Sequence, residues 1–275
     1  MTKPDLGQLA RMGNLLRQDV LTMVHLAGDG HPGPALSAAD IVAALYFQVL
    51  RVDPARPLWP RRDRFILSKG HACPVVYAAL ARRGYFDAAI LPTLRSLGSI
   101  LQGHPVLGKP PGIDMTTGSL GHGLAVGSGM ALAGRMQGLD YNVYVVMGDG
   151  ELNEGLVWEG AQIAVHQKLG RLIAFVDHNG YQSGGLVGDV SGMATIAAKF
   201  AAFGWHTQEI DGHDVGQILA AVEAARADAR PSVIVARTVK GKGVPFMEGD
   251  NSWHKRVPTK EELAAAIKCL EAANG

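Results

Sequence analysis

The sequence predicts an α/β fold: a mostly parallel sheet sandwiched by helices. Three observations carry that prediction. Short β-rich runs at 64–67, 142–147, 172–176, 205–210 and 232–236 alternate with stretches of helical period. Glycine turns separate most of them, as expected of parallel strands joined by crossover helices. A chain of 275 residues with 47% apolar side chains can also bury a sizeable core as one domain, residues 1–275.

The elements follow in order. Leu9, Met12, Leu15, Leu16, Val20, Met23 and Val24 form one apolar stripe, predicting an opening helix over 6–27. Two prolines and three glycines between Gly28 and Pro34 stop it. A second helix is expected from a Ser37 cap to about Leu50. A proline-rich stretch leads into a strand at 64–67, a Ser68-Lys69-Gly70-His71 turn and a helix over 74–83. Small residues from Leu124 to Met136 make another helix, and helices at 154–169, 193–203 and 215–225 separate the later strands. Ligands of such folds gather at the carboxyl ends of the strands.

Composition narrows the partners. Basic and acidic side chains balance at 26 to 25, without the basic excess of a nucleic-acid binder. Glycine is abundant, 35 residues in all, and clusters beside His and Asp, which suggests tight ligand loops. Cys73 and Cys269 stand far apart, arguing against a disulfide framework or a thiolate zinc site. With no leader pattern and no apolar run near the ~20 residues of a membrane span, a soluble cytoplasmic protein is expected.

Two strand ends carry the chemistry. Val145 to Met147 run into Gly148-Asp149-Gly150-Glu151, and a later strand ends in Asp177-His178-Asn179-Gly180. Asp149 and Asn179 form an oxygen-only pair suited to Mg²⁺ beside a phosphorylated cofactor; alternatively they merely satisfy backbone groups of two turns. Thr117-Gly118-Ser119-Leu120-Gly121-His122-Gly123 opens a helix whose N–H groups could meet a diphosphate, or whose small residues simply pack tightly. His31, His71, His104, His122 and His213 sit against Gly or Pro in apparent loops, and His254 precedes the final helix. Several imidazoles in such settings suit polyol and diphosphate contacts and proton transfer. His25 and His166, on helices, read as structural.

Ser68-Lys69-Gly70-His71-Ala72, Gly103-His104-Pro105, Thr117-Gly118-Ser119-Leu120-Gly121, Gly148-Asp149-Gly150-Glu151, Glu154-Gly155, Asp211-Gly212-His213-Asp214 and Lys240-Gly241-Lys242-Gly243 occur in the order found in transketolases. The chain resembles their amino-terminal portion, as a separately encoded subunit with a thiamine diphosphate-binding fold. The resemblance implies thiamine diphosphate and Mg²⁺, or another divalent ion such as Ca²⁺ or Mn²⁺. It implies Asp149, Asn179 and the Tyr181 carbonyl on the metal. His71, Gly118, Ser119, Leu120, Gly148, Gly150, Asn179, Lys240 and His254 would line the cofactor. His31, His104 and His254 would face the sugar, and Glu154 and Glu159 would lie at a subunit interface, with Glu154 counted among the catalytic residues. The implied reaction moves a two-carbon ketol unit from a ketose to an aldose, with the cofactor as electron sink.

The activating glutamate and the sugar-phosphate arginines of the family lie in its pyrimidine-binding domain. A C-terminal partner chain is therefore expected, in an α2β2 heterotetramer. His122 stands where Gln is common, and Asp29 where Ser is common, so the sugar substrates stay open. The alternatives are the α subunit of a 2-oxo acid dehydrogenase and a non-catalytic scaffolding subunit. A nicotinamide fold is weaker, lacking G-x-G-x-x-G after the first strand.

Overall fold

The structure, a computed structural model, describes residues 5–193 and 195–273. Strands β1 (Arg64–Leu67), β2 (Val143–Gly148), β3 (Leu172–His178), β6 (His206–Asp211) and β7 (Ser232–Arg237) form one parallel sheet in the order β1-β2-β3-β7-β6. A short hairpin of β4 (Tyr181–Gln182) and β5 (Gly185–Leu186) stands apart from it. The helices are α1 (Leu6–Ala27), α2 (Pro32–Ser37), α3 (Ala39–Ala44), α4 (Pro74–Arg83), α5 (His122–Met136), α6 (Gly155–His166), α7 (Val187–Ser191), α8 (Ile196–Ala202), α9 (Val215–Ala227) and α10 (Lys260–Ala272). The predicted α/β sandwich is what forms.

Strand periodicity divides the core. Tyr144, Val146, Ile173, Phe175, Ile234 and Ala236 point to one face, where α1, α3, α4 and α9 cover them. Val143, Val145, Met147, Leu172, Ala174 and Val176 point to the other, under α5, α6 and α8. Side chains alternate across a strand, so apolar residues at successive positions need both faces covered. Leu16, Val20, Leu21 and Val24 of α1 are fully buried, because that helix is packed against α3, α4 and α10.

The second helix departs from the expectation. It begins at Pro32, not at a Ser37 cap, so the last residues of the supposed 28–34 loop are helical. Proline is at home in a first turn, where its missing N–H costs nothing and its fixed φ already fits. Ser37 is instead turned inward, donating to Asp177 Oδ2 at 2.6 Å. His122 is likewise the first residue of α5, not a loop residue. The predicted helix over 193–203 begins at Ile196 among the described residues.

The chain crosses the sheet from β1 to β3 in one direction, then returns from β6 to β7. The segment after β3 leads to α7 and α8, and the one after β7 leads to α10 on the opposite face. Divergent exits at neighbouring strand ends leave a crevice there. Among the described residues no helix is long and apolar enough to cross a membrane.

Candidate active site

The crevice is a cavity of about 670 Å³ at the carboxyl ends of β2, β3 and β7. Gly148 pairs with Asp177 across β2 and β3, so Asp149 and Asn179 leave the sheet side by side. Asp149 Oδ1 accepts from Gly150 N at 2.8 Å, and its Oδ2 accepts from Gly180 N at 2.6 Å, tying the two strand ends together. Asn179 Oδ1 accepts from Tyr181 N at 3.1 Å. Both side chains thus satisfy backbone groups, the plainer of the two roles open to them. Gly150 is needed at close quarters: a Cβ there would lie 2.7 Å from Gln182 Cβ of the hairpin.

Electrostatics asks for more than a turn. Asp149 is only 1% exposed, and among the described residues no cationic side chain is hydrogen-bonded to it. Burial and the neighbouring Asp177 carboxylate push its pKa up to about 6. A buried carboxylate facing a second one is relieved by a cation. The amide oxygen of Asn179 and the main chain of Tyr181 beside it make the donor set oxygen-only, which fits Mg²⁺.

Four histidines converge on the same cavity. The rings of His31, His71 and His254 lie 5.1 to 5.4 Å apart, centroid to centroid. Burial, with Arg95 and Lys255 nearby, holds His31 at about 4, and burial with Lys240 does the same for His254. His71 is pushed lower by burial and Lys69, and His104 is lowered by burial and Arg95. These rings are neutral near pH 7, so each can donate and accept. Among the described residues His31 Nδ1 is buried without a hydrogen-bond partner, an orphan that a bound polar ligand would satisfy.

The histidines make stability acid-sensitive. A ring whose folded pKa lies below its ordinary 6.5 binds its proton more readily in the unfolded chain. The contribution is complete above pH 6.5 and is lost as pH falls toward 4, while Asp149, shifted upward, works in the opposite sense below about 6. Urea midpoints are expected to drop over that interval, and to drop less in His254→Asn; a variant curve parallel to the wild type would contradict this.

At the floor of the cavity, lined there by Lys69 and Glu151, lies a polar layer to which the motifs by themselves assign no role. Lys69, fully buried, ion-pairs with Asp177 and donates to Pro34 O at 2.8 Å. Ser37 and Thr238 donate to the same carboxylate. Glu151, also buried, accepts from Gly148 N at 3.0 Å, Gly121 N at 2.9 Å and the Ser68 hydroxyl. Its only linear sign is a lysine and two acids at strand ends, in otherwise apolar or glycine-rich surroundings.

The remaining candidates separate. Gly118, Leu120, Gly148, Gly150, Glu154, Tyr181 and Lys240 border the cavity, whereas Ser119 and Glu159 do not. The α5 entry differs from expectation: Gly121 N is engaged by Glu151, and Gly123 N by Ser68 Oγ at 3.1 Å. Those amides anchor the loop and are spent on protein side chains. A Cβ at Gly123 would come within 2.4 Å of Ser68, so the small residues at the start of α5 serve tight packing as well. His122 is exposed, with Nδ1 on Leu120 O, and His213 packs behind the cavity wall. Asp29 pairs with Arg95 at 2.7 Å. Lys240 Nζ donates to Asn251 Oδ1 at 2.6 Å and lies 3.0 Å from His254 Nδ1, and burial with Lys69 lowers its pKa to about 8.

Fold and site together define an α/β enzyme domain that binds its ligand across parallel strand ends, with acid, amide and neutral imidazoles converging. Comparison with known proteins makes this specific. The chain belongs to the transketolase family: residues 9–271 match the family described as transketolase, thiamine diphosphate binding domain. It is 44% identical over 264 residues to the 6-deoxy-6-sulfo-D-fructose transketolase subunit SqwG of Clostridium sp. (strain MSTE9), covering 96% of each chain. With an apulose-4-phosphate transketolase subunit of Phocaeicola vulgatus it shares 39% over 253 residues, covering 92% and 90%. It also matches human transketolase at 39% identity, spanning 42% of that longer protein. Among solved structures, the Leishmania mexicana transketolase superposes with a TM-score of 0.90 at 30% identity, over 98% of this chain and 41% of the other. The chain is an N-terminal, thiamine diphosphate-binding subunit of the transketolase type, a transferase subunit, and the reading as a 2-oxo acid dehydrogenase is not favoured.

Proposed function

We propose that the chain is the diphosphate- and metal-binding subunit of a two-chain transketolase, moving a two-carbon ketol unit from a ketose to an aldose. The observation that carries this is the convergence of Asp149, Asn179 and the histidine trio on one cavity. When bound, thiamine diphosphate supplies the carbon acid and electron sink for breaking the C–C bond. Asp149, Asn179 and the Tyr181 carbonyl would hold Mg²⁺, and Gly118, Leu120, Gly148, Gly150, His71, Lys240 and His254 would hold the cofactor, while Ser119 lies off the cavity. Lys240, still largely charged at neutral pH, offsets diphosphate charge. His31, His104 and His254 orient sugar hydroxyls and exchange protons with them, which their neutral rings permit. Glu154, on the cavity rim, meets the neighbouring subunit.

The two subunit-type relatives are named for a sulfonated and a phosphorylated ketose. A ketose with an anionic terminal group is the donor class this supports. A C-terminal partner supplies the activating glutamate and the arginines for that anion, in an α2β2 cytoplasmic assembly. The test is ketol transfer by the purified chain alone and with its partner. No turnover alone and restored turnover together are expected. Substantial turnover by this chain alone, or 2-oxo acid decarboxylation without ketol transfer, would overturn the reading.

A further inference from the structure

Behind the wall that carries Lys240 runs a buried polar chain that the proposed chemistry does not use. Arg17 of α1 and Asp40 of α3 form a buried ion pair, with Nη1 3.1 Å from Oδ1 and Nη2 on Oδ2. His213, in the turn after β6, brings Nδ1 to 2.7 Å from the same Oδ2. Its other nitrogen, Nε2, accepts the Val239 N–H at 2.8 Å. An accepting Nε2 carries no proton, so the proton is on Nδ1 and is donated to Asp40. The carboxylate thereby selects the tautomer that can grip Val239.

Val239 is placed to matter. Thr238 before it is pinned by N–H donation to His178 O at 3.0 Å, and Gly241 after it by donation to Gly33 O at 3.1 Å. The His213 bond settles the intervening turn, and Lys240 projects from that turn to Asn251 and His254. At its other end the network reaches the polar layer around Asp177: Arg17 Nε donates to Leu36 O at 3.2 Å, next to Ser37, whose hydroxyl donates to Asp177.

We propose that His213 is a positioning residue, holding the Val239 amide through Nε2 so that Lys240 and His254 are set for the cofactor. The assignment rests on the proposed function, in which Lys240 and His254 meet the cofactor. The Asp40–Arg17 pair orients the ring, and the ring orients the turn. The two nitrogens have separable duties, which the amide side chains can imitate one at a time. In His213→Asn the amide nitrogen replaces the Nδ1–H donor to Asp40, and nothing reaches Val239. In His213→Gln the amide oxygen replaces the Nε2 acceptor, and the donor to Asp40 is lost.

The test compares both variants of the full chain, reconstituted with its partner, by titration with thiamine diphosphate and Mg²⁺ and by urea unfolding. Expected is about a tenfold weaker cofactor Kd for His213→Asn and less than a threefold change for His213→Gln, while His213→Gln loses more urea stability. Amide exchange at Val239 should accelerate in His213→Asn alone. A purely structural histidine would make affinity follow stability. Wild-type affinity in His213→Asn, or weaker binding by His213→Gln than by His213→Asn, overturns the assignment alone. Wild-type protein that takes up no cofactor overturns both the assignment and the functional reading beneath it.

Discussion

Asp149→Asn is expected to abolish metal-dependent cofactor binding while leaving the fold in place. The substitution keeps the size of the side chain and one acceptor for the Gly150 and Gly180 amides. It removes a buried negative charge that faces Asp177, so part of the cost of the lost hydrogen bond is offset by relieved repulsion. In the proposed site a metal would lose its one charged donor. Outer partners of metal ligands alone cost 10–100-fold in affinity, so loss of the carboxylate itself should exceed about 100-fold. The readout is thermal. A ligand at 100 times its Kd stabilises the folded state by about 2.7 kcal/mol, raising the wild-type Tm. Asp149→Asn should unfold near the wild-type temperature without ligand and show no rise with thiamine diphosphate and Mg²⁺. A rise equal to that of the wild type would remove Asp149 from the metal.

Lys69→Met carries the largest expected loss of stability. Lys69 and Asp177 are buried as a pair, with side-chain exposures of 2% and 0%. Among the described residues, replacing the cation leaves Asp177 with the side-chain hydroxyls of Ser37 and Thr238. Removing one partner of a buried pair costs about 3–5 kcal/mol, because the remaining charge is neither solvated nor compensated. Adding Asp177→Asn to Lys69→Met should recover part of that loss, since no charge is then stranded. The penalty should also shrink at acidic pH, where the unpaired carboxylate takes up a proton. Denaturant titrations of the two single variants and the double variant give the coupling directly. A Lys69→Met cost under about 1 kcal/mol would mean that the charge is satisfied elsewhere.

The parts of the site that can be read along the chain are those made by neighbours in sequence. Gly-Asp-Gly at 148–150 and Asp177 to Gly180 mark strand ends because an apolar run stops at glycine and an acid within a few residues. The five strands and the long α1 stripe are visible for the same reason, as local period reports local structure. Helix starts are less legible: Pro32 and Pro34 read as breakers, although a proline in the first turn begins a helix readily. The α5 entry misleads in another way. Its amides look free for an anion, yet Ser68 and Glu151, distant in sequence, claim two of them.

Read as a linear string, the chain already holds the α/β alternation, the strand-end acid and amide, and the abundance of histidine in tight turns. Which histidines act together emerges only on folding. His31, His71, His104 and His254 meet in the cavity, whereas His122 faces solvent and His213 turns to Asp40. Folding also sets Lys69 against Asp177 across 108 residues and, among the described residues, leaves Asp149 with no cationic side chain hydrogen-bonded to it. The difference is one of range. Period and turn chemistry act between adjacent residues, but burial, and with it the demand that every charge find a partner, is settled only when distant segments close over the site.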